Sequence, residues 1–240
     1  TIFIYPEGVL ANIYLQDLNN LSSIFKENFS ENHKIILGIN SYENQKIFNS
    51  LVVLDKGLNI LAKYNKNKLV PFGEFLPFEN LLGRFGLKKI TQGYQSFSSG
   101  NVREVINLND FSFMPLICYE IIYSGNLNKN NKDFDVIINI SEDGWFGNTI
   151  GPHQHFSHSI FRSIEEGKNL FRSANNGISA HIDASGRVIS SLKSTDKGFI
   201  EIRNILKKKN TFFNSFGNKI FFYFLIFYIS FIFFLKKKKI

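Results

Sequence analysis

The sequence predicts a layered α/β fold, a mixed sheet with helices on its outer faces, followed by one membrane-spanning helix. Three observations predict it. Strand-like runs outnumber helical ones and alternate with them in places. Several runs, such as Phe113 to Ile117, are apolar throughout and read as buried strands. Near the end, Ile220 to Leu235 is 16 residues without a charge, and Lys236 to Lys239 follow at once.

Taken in order, Ile2 to Tyr5 reads as a buried strand, broken by Pro6-Glu7-Gly8. Residues 12–29 place Ile13, Leu18, Leu21, Ile24, Phe25 and Phe29 near helical spacing. Lys34 to Ile39 is a strand, and Phe48 to Leu54 with Leu58 to Tyr64 is a hairpin around Asp55-Lys56-Gly57. The stretch 65–102, rich in Gly, Pro, Phe and Lys, is long enough to be functional or mobile. Val102 to Leu108 and Phe111 to Cys118 are strands, and Ile121 to Leu127 is a short helix or turn. Asp135 to Ser141 is a β-branched strand, Glu142 to Pro152 a Gly-rich loop, and Gln154 to Arg172 a helix. Ser179 to Asp183 and Val188 to Leu192 form a hairpin, and Gly198 to Ile202 is a final strand.

Of the 28 Lys and Arg residues, eight lie in 207–240, which has no acid; the remaining 20 match the 20 acids of the body, leaving 1–206 neutral. A neutral body lacks the positive field that phosphate backbones require, so no nucleic-acid partner is expected. The expected organisation is a catalytic domain over 1–206, a basic linker over 207–219, a transmembrane helix over 220–235 and a basic cytoplasmic tail over 236–240. The 16 uncharged residues span about 24 Å as a helix, and extension back to Phe212 gives about 36 Å, against a hydrocarbon core of roughly 30 Å. The terminal lysines place the tail in the cytoplasm and the body on the opposite face, with Lys207 to Lys209 competing against that orientation. The chain opens at Thr1 directly into a strand, which reads as a fragment of a longer protein.

The single cysteine, Cys118, excludes an internal disulfide and a Cys-rich zinc site. Alone it reads as an inert core thiol. Glu7 and Lys66 change that, because each also follows an apparent strand, and sites gather at strand ends in open α/β sheets. A carboxylate base, an ammonium and a thiol support covalent acyl chemistry: Glu7 takes the thiol proton, the thiolate attacks a carbonyl, and Lys66 with a backbone N–H holds the oxyanion. Such chemistry needs no metal or cofactor. Glu74, eight residues beyond Lys66, either orients it or lies exposed. His153, His155 and His158 lack the i, i+4 spacing of a helical zinc pair and are expected at a helix start and on a loop surface.

Five motifs occur in order: Pro6-Glu7; Tyr64-x-Lys66-x-x-Leu69-Val-Pro-Phe-Gly-Glu74-Phe-x-Pro77; Cys118-Tyr119-Glu120; Asp143-Gly-Trp145-Phe146-Gly147; and Arg172-Ser-x-Asn-Asn-Gly177-Ile. Together they resemble the carbon–nitrogen hydrolase (nitrilase) superfamily, and with the terminal apolar helix its apolipoprotein N-acyltransferase branch. The resemblance covers about residues 1–235. It implies a four-layer α-β-β-α sandwich on the periplasmic face of a bacterial inner membrane. It implies transfer of an acyl chain from a phospholipid, through a Cys118 thioester, to the N-terminal amine of a diacylglyceryl-cysteine apolipoprotein. In that pattern Glu7 is the base, Lys66 the oxyanion cation and Glu74 a supporting carboxylate. Tyr119 and Glu120 flank the nucleophile, Trp145 and Phe146 line a lipid pocket, and Glu165 matches a helix carboxylate. Phe72, Phe75, Phe78 and Phe85 are read as a lipid-contacting arm or as ordinary loop packing. The chain departs from the pattern at Glu142, where Asn is usual, at Tyr5 and at Gly8, which bears on acyl preference. A monomer is expected. Two rival readings are a carbon–nitrogen hydrolase acting on a small amide, which has no need of the membrane segment, and a non-catalytic membrane-anchored binding domain, which has no use for all three triad residues.

Overall fold

The computed structural model describes residues 1–10, 12–78, 96–109, 111–125, 127, 132–204 and 208–237. Strand β1 (Ile2–Ile4) pairs in parallel with β2 (Lys34–Glu43), and β3 (Lys46–Leu54) and β4 (Ile60–Asn65) follow as antiparallel neighbours. The β2–β3 turn runs through Asn44 and Gln45, both at positive φ, as a two-residue hairpin requires. The second sheet has the order β10-β9-β8-β7-β6-β5. Its centre is parallel: β6 (Phe111–Ile117) pairs with β7 (Val136–Glu142), and β7 with β8 (Asn169–Asn175). Its edges, β5 (Ile106–Leu108) and the hairpin of β9 (Ser179–Ile182) with β10 (Val188–Leu192), are antiparallel.

Strand alternation divides the apolar residues into three cores. Ile36, Leu51 and Val53 of the first sheet meet Phe113, Ile117, Val136, Ile138 and Ile140 of the second. The residues between them point outward. Ile35, Leu37, Ile39, Val52 and Leu54 pack against Leu18 and Phe25, from a 3-10 turn (Leu15–Leu21) and helix α1 (Ser22–Asn28). On the other side Met114, Leu116, Ile137 and Leu170 pack toward Phe156 and Ile160 of helix α2 (Gly151–Glu166). The layers are therefore α-β-β-α, and every central strand is covered on both faces.

Four element assignments are corrected. Helix α2 ends at Glu166, not Arg172: Gly167 adopts the left-handed conformation of a helix terminus, and 169–175 become strand β8. Gly198 to Ile202 is not a strand, though Ile202 packs on the inter-sheet core. Residues 102–105 precede β5 rather than belonging to it, with Val102 largely exposed. The tail helix does not extend unbroken to Phe212, because Gly217 at positive φ separates α3 (Phe212–Phe216) from α4 (Lys219–Lys237). Helix α4 is long and apolar enough to cross a membrane, with none of its 18-residue apolar window buried. Its 19 residues span about 28 Å. Ahead of it, Lys208 pairs with Asp133, and the Lys209 N–H donates to the Gly167 carbonyl, so 208–209 lie against the body. In the stretch 65–102, residues 79–95, including Phe85, lie outside the described residues; the flanks are tied down by Gly100 N–H to the Lys66 carbonyl and Phe97 N–H to the Glu74 carbonyl.

Candidate active site

Cys118 follows the last residue of β6 and opens a 3-10 turn, Cys118–Ile122. Its φ is +48°, a left-handed conformation that costs a residue bearing a Cβ about 1–3 kcal/mol and that gathers at functional sites. The thiol lies 3.9 Å from the Glu142 carbonyl, at the end of the adjacent strand β7. Glu120 braces the turn: its buried carboxylate accepts the Ile117 N–H at 3.0 Å. The same carboxylate accepts Tyr64 O–H at 2.6 Å, the N–H groups of Asn67 and Lys68 at 3.1 Å each, and pairs with Arg103 at 3.1 Å. Glu120 thereby fixes the segment around Lys66 against the turn that carries Cys118.

Lys66 directly follows β4 and is only 1% exposed. Its ammonium lies 2.9 Å from Glu74 Oε1 and 3.8 Å from Glu7 Oε1. Glu74 is presented by a tight loop in which Glu74 N–H donates to the Val70 carbonyl and Phe72 N–H to the Phe75 carbonyl. Glu74 Oε2 accepts the Val70 N–H at 2.8 Å. Asn49 of β3 bridges the two carboxylates, donating to Glu7 Oε1 at 2.6 Å and Glu74 Oε1 at 2.9 Å. Glu7 Oε2 accepts the Glu142 N–H at 2.8 Å. Gly38 permits this approach, since a Cβ there would stand 2.7 Å from the Glu7 backbone.

The structure brings Glu7, Lys66, Glu74 and Cys118 into one buried cluster, with the charges of Glu7 and Lys66 both acting on the thiol. Burial pushes the Glu7 carboxyl up, against the pull of Lys66. Burial works against the Lys66 ammonium, but Glu7 and Glu74 outweigh it and hold its pKa above the ordinary lysine value. Burial and the Glu7 carboxylate push the Cys118 thiol up to about 12, against the pull of Lys66. The resting thiol is therefore protonated and needs a base at its side.

The other residues expected at the site are placed less uniformly. Tyr119 is half-buried with its ring edge-on to Tyr123. Trp145 is 67% exposed, and the half-buried Phe146 ring lies 5.4 Å from the His155 ring. Glu165 is set apart from the triad on α2, accepting from Ser124 at 2.8 Å and Arg162 at 2.9 Å. Glu142 is held through its carboxylate by the Gly144 N–H at 2.7 Å, Asn175 at 2.5 Å and Asn176 at 3.1 Å. Among the described residues, no group of three His, Cys, Asp or Glu side chains is arranged to hold a metal ion. A crevice of about 560 Å³ lies elsewhere, between β4 and residues 101–107, and no triad residue lines it.

The histidine expectation is corrected at one position. His155 is not on a loop surface but buried behind Cys118, with Nε2 3.2 Å from the Cys118 carbonyl and Nδ1 2.9 Å from Asp143 Oδ1. Arg172 Nη2 donates to both Asp143 oxygens, at 2.7 and 3.0 Å, and Ser141 donates to Oδ1 at 2.7 Å. Gly177 closes over this carboxylate so tightly that a Cβ there would lie 2.1 Å from Asp143 Oδ2. Burial opposes the charge on Asp143, but bonds from His155 and the charge of Arg172 prevail and hold it near a pKa of about 2.

A two-sheet sandwich with outer helices and a thiol beside a carboxylate and an ammonium at the strand ends defines a class. The chain belongs to the carbon–nitrogen hydrolase family, whose model matches residues 20–204. Among its relatives, the apolipoprotein N-acyltransferase of Rhizobium rhizogenes is 35% identical over 207 residues, 83% of this chain and 39% of that protein. The apolipoprotein N-acyltransferase of Rickettsia prowazekii is 39% identical over 177 residues, 72% of this chain and 35% of that protein. The chain thus spans about two fifths of the length of such relatives. A mutant amidase from Nesterenkonia sp. AN1, carrying the acetamide moiety of fluoroacetamide on its active-site cysteine, superposes with a TM-score of 0.55 at 13% identity, over 80% of this chain and 73% of that one. A CN-hydrolase superfamily protein from Xanthomonas campestris matches equally, TM-score 0.55 at 13% identity, over 82% and 75%. At these identities the two solved structures speak for the fold alone.

Proposed function

We propose that this chain carries the catalytic domain of a lipoprotein N-acyltransferase, with Cys118 as nucleophile, Glu7 as general base and acid, and Lys66 as the oxyanion cation. Glu7 accepts the Sγ proton as sulfur attacks the ester carbonyl of a phospholipid. The S–C bond forms, and the negative oxygen is held by Lys66 and a backbone N–H. The C–O ester bond breaks, and the departing lysophospholipid oxygen takes the proton from Glu7. In the second half the N-terminal amine of a diacylglyceryl-cysteine apolipoprotein attacks the thioester. The N–C bond forms, the S–C bond breaks, and the amine proton returns through Glu7 to the thiolate. Glu74 holds Lys66, and Glu120 holds the turn on which Cys118 sits. No step calls for a metal or cofactor, and one chain suffices for all three residues.

One observation carries the lipid over a small amide. The loop that bears Glu74 and the loop that follows β7 present Phe72, Phe78, Trp145 and Ile150 at 45, 80, 67 and 68% exposure. Large exposed apolar side chains on loops beside the site favour an apolar ligand or surface. Helix α4 agrees with it, as the anchor that keeps the site at a bilayer. With its terminal lysines in the cytoplasm, the catalytic body faces the periplasm.

The test is intact-protein mass spectrometry of the full chain in detergent, after incubation with a defined phospholipid and no acceptor. The expected result is one added acyl mass on the wild type, absent from Cys118→Ser and removed by hydroxylamine or a diacylglyceryl lipopeptide. No adduct on folded protein, with turnover of a small amide, would overturn the transferase in favour of a hydrolase. Neither signal would leave a binding domain.

A further inference from the structure

We propose that His155 is a positioning residue for Cys118: its Nε2–H holds the Cys118 carbonyl and so fixes the left-handed backbone that aims the thiol. The inference rests on the reading of Cys118 as the nucleophile.

A cysteine at φ +48° is held there by its surroundings, because a residue with a Cβ relaxes toward negative φ when its peptide groups are free. The amide side of the turn is braced by Glu120, through the Ile117 N–H. On the carbonyl side the brace is His155, at 3.2 Å. The imidazole is itself fixed from behind, since Nδ1 faces Asp143 at 2.9 Å and Arg172 Nη2 at 3.1 Å. Arg172 is anchored in turn by donating Nε–H to the Ile178 carbonyl and Nη1–H to Asn139. The chain of contacts therefore links β6, β7, β8 and α2 behind one peptide group. It also reaches the base, because Asp143 follows Glu142, whose N–H holds Glu7 and whose carbonyl faces the thiol. Burial and Arg172 lower the His155 pKa, against the pull of its bonds to Asp143 and to the Cys118 carbonyl. Both nitrogens face acceptors, so Nδ1–H donates to the Asp143 carboxylate and Nε2–H to the Cys118 carbonyl. The ring that makes both bonds is doubly protonated, and in that state Nε2–H holds the Cys118 carbonyl.

Two variants separate this role from mere filling of the core. His155→Gln places an amide N–H near the position of Nε2 and retains the bond to Cys118. His155→Asn reaches only the position of Nδ1 and loses it. Both remove the ring, so a purely structural role lowers Tm and acylation alike in the two. The proposal expects rescue by Gln: acylation within a few-fold of wild type, against a loss on the order of 100-fold in Asn with KM for phospholipid unchanged, the scale of a 1 Å misplacement. Alkylation of Cys118 by iodoacetamide, followed by intact mass, needs no lipid and reads the thiol directly. Its rate follows wild type in His155→Gln and departs several-fold in His155→Asn. Should the Asn variant fail to fold, His155→Phe, which keeps a ring and has no donor, takes its place. Equal acylation and equal alkylation in the Gln and donor-less variants would overturn the proposal. Alkylation without lipid acylation in the wild type would instead overturn the transferase reading, while the alkylation series still decides the role of His155.

Discussion

Two buried ionic clusters flank Cys118, and they differ in how their charges add up. In front, Glu7 and Glu74 share a single ammonium, Lys66. Behind, Asp143 has the Arg172 guanidinium to itself, and His155 donates to it as well. The consequences are opposite. The front carboxyl Glu7 is driven up by burial that its partners do not fully offset, whereas Asp143 is held near about 2. A carboxylate with too little positive charge around it is ready to accept a proton, and one with its own guanidinium is not. On the proposed mechanism, the same residue types at similar depth thus serve as a base on one side of the thiol and as a brace on the other.

The sharpest way to break this comparison is to remove the ionisable oxygen from each cluster's imbalance. Glu7→Gln keeps the shape and an acceptor for the Glu142 N–H, but cannot take the thiol proton. Acylation of Cys118 is expected to fall by about 10²–10⁴-fold, the range of general-base catalysis. In the wild type the rate falls as pH drops through the Glu7 pKa, which lies above 4.5, and that acid limb disappears in the variant. Stability moves the other way. Because the folded pKa is raised, folding favours protonated Glu7, and this contribution is lost as pH rises through the folded value. Removing the charge is therefore expected to raise Tm at pH 7 while activity collapses. A Tm that falls with activity would show that Glu7 is a brace after all.

The rear cluster is expected to answer in reverse. Arg172→Met leaves Asp143 buried without its partner, a loss of about 3–5 kcal/mol, or about 6–20 °C in Tm for a domain of this size. Acylation per folded molecule falls far less than in Glu7→Gln. Asp143 is the depressed case: its stabilisation is present above the ordinary 3.8 and is lost as pH falls toward about 2, so wild-type thermal scans between pH 5 and 2 drop while those of Arg172→Met flatten.

The front cluster was legible in the sequence and the rear one was not, for a physical reason. Glu7, Lys66 and Cys118 each stand just past an apolar run, so the strand pattern that gives the fold also marks the residues at its ends. The same pattern shows β2, β3, β6 and β7, because their two buried faces leave only apolar side chains. Helix α2 defeats it. Its buried face is His155, Ser159, Arg162, Ser163 and Glu166 with Pro152, of which His155, Ser163 and Glu166 bond to groups outside the helix, so the rule that polar residues face water points the wrong way. Spacing judged only for a zinc pair places His155 at the surface. The one signal at hand was Gly167, whose left-handed turn ends the helix and frees Asn169–Asn175 to pair with β7. A helix continued through Gly167 carries Arg172 with it and hides the ion pair with Asp143. Gly198 to Ile202 failed differently: its residues suit a strand, but a strand also needs a free edge to pair with, which no local pattern reveals.

A third cluster tests whether excess carboxylate alone is enough. On the far end of α2, Glu165 and Glu166 share Arg162, and burial with the Glu165 charge drives Glu166 up to about 7. The imbalance resembles that around Lys66, but what Glu166 touches is α3: Asn214 donates to its carboxylate at 2.9 Å, and Thr211 donates to the Glu165 carbonyl. With no thiol beside it, the strained acid can only couple protonation to packing of the segment that leads into α4. The raised folded pKa contributes stability that is complete below about 4.5 and lost as pH rises through about 7. Glu166→Gln mimics the protonated acid, so thermal scans of the variant should lose the decline that wild type shows between pH 5 and 8. Acylation of Cys118 should not change, the smallest functional effect of the three. If Glu166→Gln abolished acylation without moving that decline, charge imbalance would have marked chemistry here too, and the contrast between the clusters around Cys118 would have to be redrawn around α2.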